Sequence, residues 1–307
     1  MRQIIATAIL MAAGAAYASS PTLYECIYRF DMKENSGDKE FSEASDCILL
    51  IGEDQSKFYD YSAFRLDSVS AIPGVADDTI KKFKEEYMKS ETYFDQEVNT
   101  SLKDDKITVF CDMAPERYKY EQKLPLMTWN ETEETADICG YQCRKATGEY
   151  GGRKWEAWYA EEIAVPFGPW KMFGLPGLVL KATDESGNHS FEAIAFRQGN
   201  GEFAPSKIPN QVSIGHEKFI EMKNEYDKNP GAAINPESIS EISVTQGGKI
   251  IINGIPTRLN KNRAIPLEYT AAELNGTKKD NSSKTKKKSM NESFEDIKVI
   301  GAKSVPK

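Results

Sequence analysis

Five cysteines have the clearest capacity for chemistry in this chain of 307 residues: Cys26, Cys47, Cys111, Cys139 and Cys143. The C-x3-C spacing of the last two differs from the C-x2-C spacing of redox and zinc-ribbon motifs. On a single strand these two would lie about 13 Å apart, too far for a mutual disulfide. We expect disulfides to other strands, with Cys26–Cys47 as the first pair and Cys111 with Cys139 or Cys143 as the second. Metal or redox chemistry is the alternative.

The two histidines, His189 and His216, are the next candidates for chemistry. The first lies in the polar tip of a predicted hairpin and the second at the start of a predicted helix, so we interpret both as solvated surface residues. The sequence contains no nucleophile-elbow, zinc-protease, P-loop or dinucleotide-binding motif. We expect no catalytic residue of these classes, no metal and no cofactor.

Acidic and aromatic residues alternate between Trp155 and Glu162. This is the most enzyme-like patch, because sugars stack on aromatic rings and a pair of carboxylates can cleave a glycosidic bond. On a strand, however, Trp155 faces away from Glu156 and Trp158. The same alternation is typical of any half-buried strand. Hydrolysis of a glycan or a peptide is therefore the alternative hypothesis.

Residues 168–180 combine glycines, prolines and large apolar side chains. Proline fixes φ and removes a donor, and a Pro-Gly pair favours a turn, so we predict an ordered, partly buried turn. Its structural residues are Gly168, Pro169, Gly174, Pro176 and Gly177. The favoured interpretation is a segment that closes one end of the core. The alternative is contact with a ligand or partner. Candidate binding residues are Trp170, Phe173, Leu175 and, outside this turn, Trp158.

The elements that must position these residues are mostly strands. Alternating hydrophobicity predicts strands at residues 23–32, 45–51, 55–66, 107–111, 118–124, 136–147, 154–163, 178–184 and 190–196. Helical spacing predicts helices at residues 79–90 and 214–228. This succession favours an α+β fold that is mainly antiparallel β. We expect a curved meander sheet with two or more helices packed on one side.

The first residues predict export. Arg2 precedes an apolar stretch that is too short to span a bilayer, and Ala16-Tyr17-Ala18 resembles a signal-peptidase site. We therefore expect a signal peptide over residues 1–18 and a mature protein in the periplasm or associated with the outer membrane. Since no later stretch is apolar enough to cross a bilayer, no transmembrane segment is expected.

Charge and composition divide the remaining chain into two parts. Residues 19–275 have enough apolar and aromatic content for a single β-rich domain. Residues 276–307 hold nine lysines and few apolar side chains, which predicts a disordered tail. The net charge of −8 makes nucleic acid a poor candidate as a partner.

A series of short motifs links this chain to a known family. In order they are Gly140-Tyr141-Gln142-Cys143, Lys145-Ala146-Thr147, Gly152-Arg153, Ala157-Trp158-Tyr159, Glu162-Ile163, Gly168-Pro169 and Gly174-Leu175-Pro176-Gly177-Leu178-Val179. The series resembles the GLPGLI family of exported Bacteroidota proteins, most strongly over residues 139–196. Val179 replaces the final isoleucine of the family motif. Residues 163–166 also depart from the Glu-Ile-Pro run that is frequent in the family. The resemblance implies a signal peptide, a β-rich domain and a cell-envelope location, with no established activity and no catalytic residues.

Three functional hypotheses follow from these observations. The first is an exported, non-catalytic envelope protein with a binding or accessory role, whose partner is an envelope protein or a hydrophobic ligand. The second is a periplasmic hydrolase. The third is an accessory partner of an outer-membrane transporter. An apolar cavity would favour the first, facing carboxylates the second, and a flat apolar patch around Trp170 and Phe173 the third.

Overall fold

The computed structural model describes residues 20–33, 42–90, 94–203, 211–229, 234–244, 250–257, 266–271 and 273. The predicted signal peptide and the lysine-rich tail lie outside these residues. The described chain is mainly antiparallel β, as the sequence predicted.

The strands of the described chain are β1 (Ser20–Pro21), β2 (Tyr24–Lys33), β3 (Ser42–Ile51), β4 (Gln55–Asp60), β5 (Gln96–Ser101), β6 (Lys106–Met113), β7 (Glu116–Lys123), β8 (Trp129–Ile138), β9 (Tyr141–Tyr150), β10 (Arg153–Ala160), β11 (Leu178–Asp184), β12 (His189–Gln198), β13 (Glu202–Phe203), β14 (Gln211–Ser213), β15 (Ile242–Val244), β16 (Ile250–Ile252) and β17 (Ile255–Pro256). The α-helices are α1 (Tyr61–Ser70), α2 (Asp77–Lys89) and α3 (His216–Lys228), and a short 3-10 helix spans Pro236–Ser238.

Twelve of these strands form one sheet in the order β14-β7-β6-β5-β4-β3-β2-β12-β11-β10-β9-β8. The sheet contains two runs of consecutive strands, β2 to β7 and β8 to β12, which meet where β2 pairs with β12. Only the short β14 pairs in parallel, with β7, among the described strands of this sheet. Two small sheets, β1-β13 and β15-β16-β17, lie apart from it.

The large sheet buries apolar side chains on both of its faces. On β3, Cys47 and Leu49 belong to the main core, whereas Ile48 and Leu50 belong to a second cluster. Phe219 of α3 belongs to the main core, while α1 packs against the second cluster. Since successive side chains on a strand point to opposite faces, α1 and α3 cover opposite faces of the sheet. Helices therefore lie on both faces of the sheet.

The predicted strand over residues 55–66 is only half correct, because β4 ends at Asp60 and α1 follows directly. The Asp60 carboxylate accepts hydrogen bonds from the backbone nitrogens of Ser62 and Ala63, at 2.9 and 3.0 Å. This is N-cap chemistry, which satisfies donors that the first turn leaves open. The prediction was wrong because the aromatic residues of this stretch also suit a strand.

The predicted strand over residues 136–147 is a hairpin, with β8 ending at Ile138 and β9 beginning at Tyr141. Cys139 and Gly140 form its turn, with φ values of 52° and 82°. Two positive φ values are what a two-residue type I′ turn requires. Cys139 and Cys143 therefore do not lie on one strand, and the distance predicted for them does not apply.

All five cysteines are unpaired in the structure, which corrects the disulfide prediction. Cys26 lies opposite Leu49 and Cys47 lies opposite Tyr28, so the predicted first pair is out of register across β2 and β3. Burial raises the pKa of the Cys26 thiol to about 12. A thiol with so high a pKa has little reactive thiolate at neutral pH.

Thiol titration will test this arrangement directly. Without reductant, we expect a thiol reagent such as DTNB to label one cysteine of the folded protein and five after unfolding, because four are buried and Cys139 is partly exposed. Cys139→Ser should abolish the labelling of the folded protein. Fewer than five reactive thiols in denaturant without reductant would contradict the unpaired state and revive the disulfide prediction.

Candidate functional site: a buried charge network and an acidic cavity

The residues predicted to bind a ligand lie mostly inside the core. Trp170 and Leu175 are each 2 % exposed. The Trp170 indole nitrogen donates to Gln96 Oε1 at 3.3 Å, and its ring lies 5.4 Å from that of Trp155. Phe173 and Trp158 are half-buried. This placement agrees with core closure and leaves Trp170 no open face for a partner.

The glycine- and proline-rich turn is closely packed. An added Cβ on Gly177 would lie 2.6 Å from the Ala160 carbonyl carbon, and one on Gly168 would lie 2.7 Å from the Met172 carbonyl oxygen. Gly174 has a φ of 98°, in the region that favours glycine. The Pro169 carbonyl accepts a hydrogen bond from Met172 N at 3.0 Å. Pro176 lies in the bend between Gly174 and Gly177.

The same turn carries a buried lysine that sequence reasoning did not single out. Lys171 has a fully buried side chain, and its Nζ donates to Glu268 Oε1 at 2.5 Å, Gln122 Oε1 at 3.0 Å and Tyr150 Oη at 2.9 Å. An ammonium has three donors, so all of them are used. Burial lowers the pKa of Lys171, although the charge of Glu268 opposes that change.

Glu268 connects Lys171 to helix α3. Its Oε2 lies 3.0 Å from His216 Nε2, and its backbone carbonyl accepts a hydrogen bond from Asn224 Nδ2 at 3.0 Å. Burial alone would raise the pKa of Glu268. Lys171 and then His216 outweigh burial and lower the pKa to about 2. The His216 side chain is 33 % exposed, so it is partly solvated as we expected, but its ring also contacts this buried carboxylate, which the sequence did not predict.

A second buried ion pair holds the same chain segment. Arg153 Nη1 lies 2.5 Å from Asp184 Oδ2, and Arg153 Nε donates to the Pro266 carbonyl at 3.1 Å. Asp184 also accepts a hydrogen bond from the backbone nitrogen of His189 at 2.9 Å. His189 is 2 % exposed, so its predicted surface position was also wrong. Together the two pairs fasten residues 266–271 to the sheet.

The pKa of Glu268 predicts how stability changes in acid. Because the pKa is about 2 in the folded protein and near 4.5 when unperturbed, the stabilising contribution is complete above pH 4.5. It should be lost as the pH falls from about 4.5 to 2, and its full size is about 3 kcal/mol. We expect urea unfolding to show the stability difference between the wild type and Glu268→Gln shrinking over this range. A constant difference would contradict the lowered pKa.

The acidic and aromatic patch on β10 is occupied by ion pairs. As predicted, Trp155 is buried while Glu156 is exposed. Glu156 lies 3.3 Å from Lys145 Nζ, and Glu161 lies 2.8 Å from Arg144 Nη1. Glu156 and Glu161 are therefore each neutralised by a cation from β9. Cross-strand ion pairs of this kind are typical of the surface of an ordinary antiparallel sheet.

A cavity of about 270 Å³ lies beside the α1–α2 hairpin and strands β5 and β6. Its walls combine aromatic rings and carboxylates. The aromatic residues are Tyr59, Tyr87, Phe94 and Phe110, and the acidic residues are Asp60, Asp67, Asp95, Glu97 and Asp112. Sequence reasoning missed this site, because its lining comes from segments that no motif connects.

Some of the cavity carboxylates are already paired. Glu97 lies 3.4 Å from Lys57 Nζ, which also lies 4.2 Å from the centre of the Tyr59 ring. Burial raises the pKa of Glu97, and the charge of Lys57 opposes that change. Asp112 lies 3.2 Å from Arg117 Nε. Asp67 is exposed as a residue, yet burial raises the pKa of its carboxyl and the charge of Lys57 opposes that change. Its carboxylate has no hydrogen bond or ion pair within 4 Å to another described residue.

The described part of the chain shows neither a metal centre nor a helical membrane span. Among its residues, no group of three or more His, Cys, Asp or Glu side chains is arranged to hold a metal ion. Within the same residues, no helix is both long and apolar enough to cross a bilayer.

No family model and no curated protein matches this chain. Among solved structures, PNGF-II in a P21 crystal form is similar with a TM-score of 0.45 and 18 % identity over 65 % of this chain and 32 % of that chain. A C2 crystal form of PNGF-II has a TM-score of 0.44 and 17 % identity, over 66 % of this chain and 32 % of that chain. MucB in complex with MucA(peri) has a TM-score of 0.27 and 9 % identity, over 62 % of this chain and 52 % of that chain. The chain thus spans about a third of the PNGF-II chains, and likenesses this distant assign no function.

Proposed function

We propose that this chain is an exported, non-catalytic envelope protein of the GLPGLI type that binds a small ligand. The observation that carries the proposal is the 270 Å³ cavity beside the α1–α2 hairpin. Ligand sites are typically concave, with aromatic walls and a few polar groups that orient the ligand. The cavity has both features, and its volume suits a ligand smaller than most drugs, whose pockets begin at about 300 Å³.

The α1–α2 hairpin supports access to this cavity. Neither helix contributes a fully buried side chain, whereas α3 buries Phe219 and Ile220. The two helices contact each other through Arg65, which lies 3.3 Å from Glu86 and 4.9 Å from the Phe83 ring centre. Moving a hairpin that buries little apolar surface costs little free energy. We therefore infer that it admits a ligand.

The buried network supports a non-catalytic role for the lysine in the family-like motif. Each donor of Lys171 is engaged within the fold, and Glu268 is held by Lys171 and His216. A catalytic group must reach a reacting atom within hydrogen-bond distance. Lys171 is fully buried, so its role here is to join parts of the chain.

A strongly curved sheet belongs to the same proposal. Tyr150 on β9 donates to Gln122 on β7 at 2.7 Å, although these strands lie near opposite ends of the sheet order. A flat sheet would separate them by many times the spacing of neighbouring strands, which is about 4.8 Å. This bond supports curvature that brings the two halves of the sheet together.

A hydrolase acting on a glycan or a peptide is the second candidate. The observation that favours it is the raised pKa of Glu97, because a carboxyl that stays protonated near ionised ones can act as a general acid. Its contacts with Lys57 and Asn99 weigh against that role, since both stabilise the ionised form. No observation favours the transporter partner, because Trp170 is not exposed.

Export can be tested by sequencing the N-terminus of the protein recovered from the cell envelope. We expect Ser19 as the first residue, because small residues at positions 16 and 18 suit signal peptidase. Ala18→Arg should block cleavage and leave a longer, retained precursor. A protein with Met1 intact that remains in the cytoplasm would contradict export.

Ligand-observed NMR can test the binding function. Fragments with one ring and a cationic, neutral or anionic group should be screened against the wild type and Leu66→Trp. Leu66 lines the cavity but belongs to neither of the clusters beside it, so the larger ring should fill the cavity with little effect on the core. Ile72→Trp, at an exposed position, is the matched control.

We expect at least one class of fragment to bind to the wild type and to Ile72→Trp, and not to Leu66→Trp. Binding that is equal in all three proteins, or absent from the wild type for every class, would contradict the proposed function. Release of hydrolysed product from a glycan or peptide probe, abolished by Glu97→Gln, would support the second candidate instead.

A further inference from the structure

We propose that the ligand of the cavity is an organic cation, an ammonium or guanidinium group on a short apolar or aromatic stem. The inference rests on the proposed function and narrows its ligand to one chemical class. Two independent features of the cavity carry it: the balance of charge on the walls and the aromatic rings beside the carboxylates.

The charge balance favours a cation. Five carboxylates line the cavity, whereas Arg117 is the one basic residue among its lining residues. Lys57 and Lys223 neutralise Glu97 and Asp95 at 3.4 and 3.0 Å from outside the lining, and Arg117 neutralises Asp112. The excess of negative charge therefore comes from the other two carboxylates, those of Asp60 and Asp67. A concave surface with low-dielectric walls and an excess of one charge concentrates ions of the opposite sign.

The rim residue Asp67 supplies the anchor. Its carboxylate forms no hydrogen bond or ion pair with another described residue, while Asp112 is held by Arg117 and Asp60 caps α1. Burial raises the pKa of the Asp67 carboxyl, and the positive charge of Lys57 opposes that change, so a cation beside it stabilises the ionised form. A cation entering the cavity can therefore pair with it without displacing a partner of the folded chain.

The aromatic walls suit the same ligand. The chain already holds one ammonium between a ring and a carboxylate next to the cavity. Lys57 Nζ lies 4.2 Å from the centre of the Tyr59 ring and 3.4 Å from the Glu97 carboxylate. Cations within about 6 Å of a ring centre are attracted to its face. Tyr87 and Phe110 also line the cavity and offer further rings to the stem of a ligand.

Other ligand classes fit less well. An anion would meet the excess of carboxylates and be repelled. A purely hydrophobic ligand, the class suggested by the sequence, would desolvate carboxylates without offering them a partner, which is unfavourable. An apolar stem with a cationic head contacts the rings and pairs with the carboxylates together.

Calorimetry with three probes of one size will test this inference. The probes are 2-phenylethylamine, 2-phenylethanol and phenylacetate, which carry a positive, no and a negative charge. At low salt we expect the amine to bind at least about tenfold more tightly than the alcohol, and phenylacetate not to bind. High salt should weaken binding of the amine and leave the alcohol unchanged, because ions screen the charges.

Two variants with the same change of charge locate the effect. Asp67→Asn should weaken binding of the amine about tenfold and leave the affinity for the alcohol unchanged. Asp78→Asn removes a carboxylate from the exposed start of α2, away from the cavity. This variant should leave the affinity for the amine unchanged. Equal weakening by both variants would mean attraction to the overall charge and would overturn the inference.

Failure of the inference can be separated from failure of the proposed function. If the alcohol or phenylacetate binds as tightly as the amine, and Leu66→Trp abolishes that binding, the cavity binds ligands of another class. The inference is then overturned and the proposed function stands. If no probe shows binding that is sensitive to Leu66→Trp, both are overturned.

Discussion

Replacement of Lys171 by methionine is expected to lower the free energy of unfolding by about 3–5 kcal/mol. The variant leaves Glu268 as a buried carboxylate without its cation, and the side chains of both residues are at most 2 % exposed. Removing one partner of a buried pair is costly because the remaining charge keeps its desolvation penalty. Urea unfolding at pH 7 measures the effect.

The double variant Lys171→Met/Glu268→Gln separates this cause from lost packing. With no charge left to compensate, it should recover much of the stability lost in either single variant, and the double-mutant cycle should give a large coupling energy. Lys181→Met is the matched control, because Lys181 pairs with Glu192 at 2.7 Å where both side chains are partly exposed. Such a surface pair contributes about 0–1 kcal/mol. A loss in Lys171→Met no greater than in this control would contradict the role of the network.

The second large effect is expected for Gly177→Ala, which should cost about 3 kcal/mol or more. The new methyl group would overlap the Ala160 carbonyl, 2.6 Å from its carbon, and would lie 2.9 Å from the Glu161 Cα. Both are backbone atoms, so no side-chain rotation relieves the clash. The strand pairing between Tyr159 and Val179 lies next to it, and we expect the β10–β11 ladder to be disturbed.

Gly201→Ala provides the comparison for this variant. No atom lies within 4 Å of the point that a methyl group on residue 201 would occupy, and the φ of Gly201 is not in the left-handed region. We expect a change within about 0.5 kcal/mol, as for most surface substitutions. Thermal and urea unfolding of the two variants give the measurement, and equal stabilities would show that the turn tolerates a side chain at position 177.

Parts of the fold could be predicted because their causes are local. The predicted strand over residues 178–184 matches β11, and the helix predicted at residues 214–228 matches α3 within two residues. Alternation of apolar residues and helical spacing are set by the chain over a few residues. The errors at Asp60 and Cys139 arose where a cap or a turn depends on one side chain or one pair of φ values.

The candidate sites could not be predicted in the same way. Lys171 and Glu268 are 97 residues apart in sequence, and Tyr150 and Gln122 are 28 apart. Nothing in the local pattern around Lys171 distinguishes a buried, paired lysine from an exposed one. Its neighbour Trp170 is compatible with either environment. The prediction of the cysteine pairs was wrong for a related reason. Pairing depends on strand register, which the spacing of residues in the sequence does not define.

The sequence by itself determined the class of fold, several of the antiparallel strands of the large sheet and the glycine-proline turn that leads into β11. These follow from side-chain alternation and from the φ restrictions of glycine and proline. Only the tertiary structure decided the sheet order, the buried Lys171–Glu268 pair and the acidic cavity. The reason is physical: each of these depends on side chains from distant segments, and their burial and pairing exist only after the sheet has assembled.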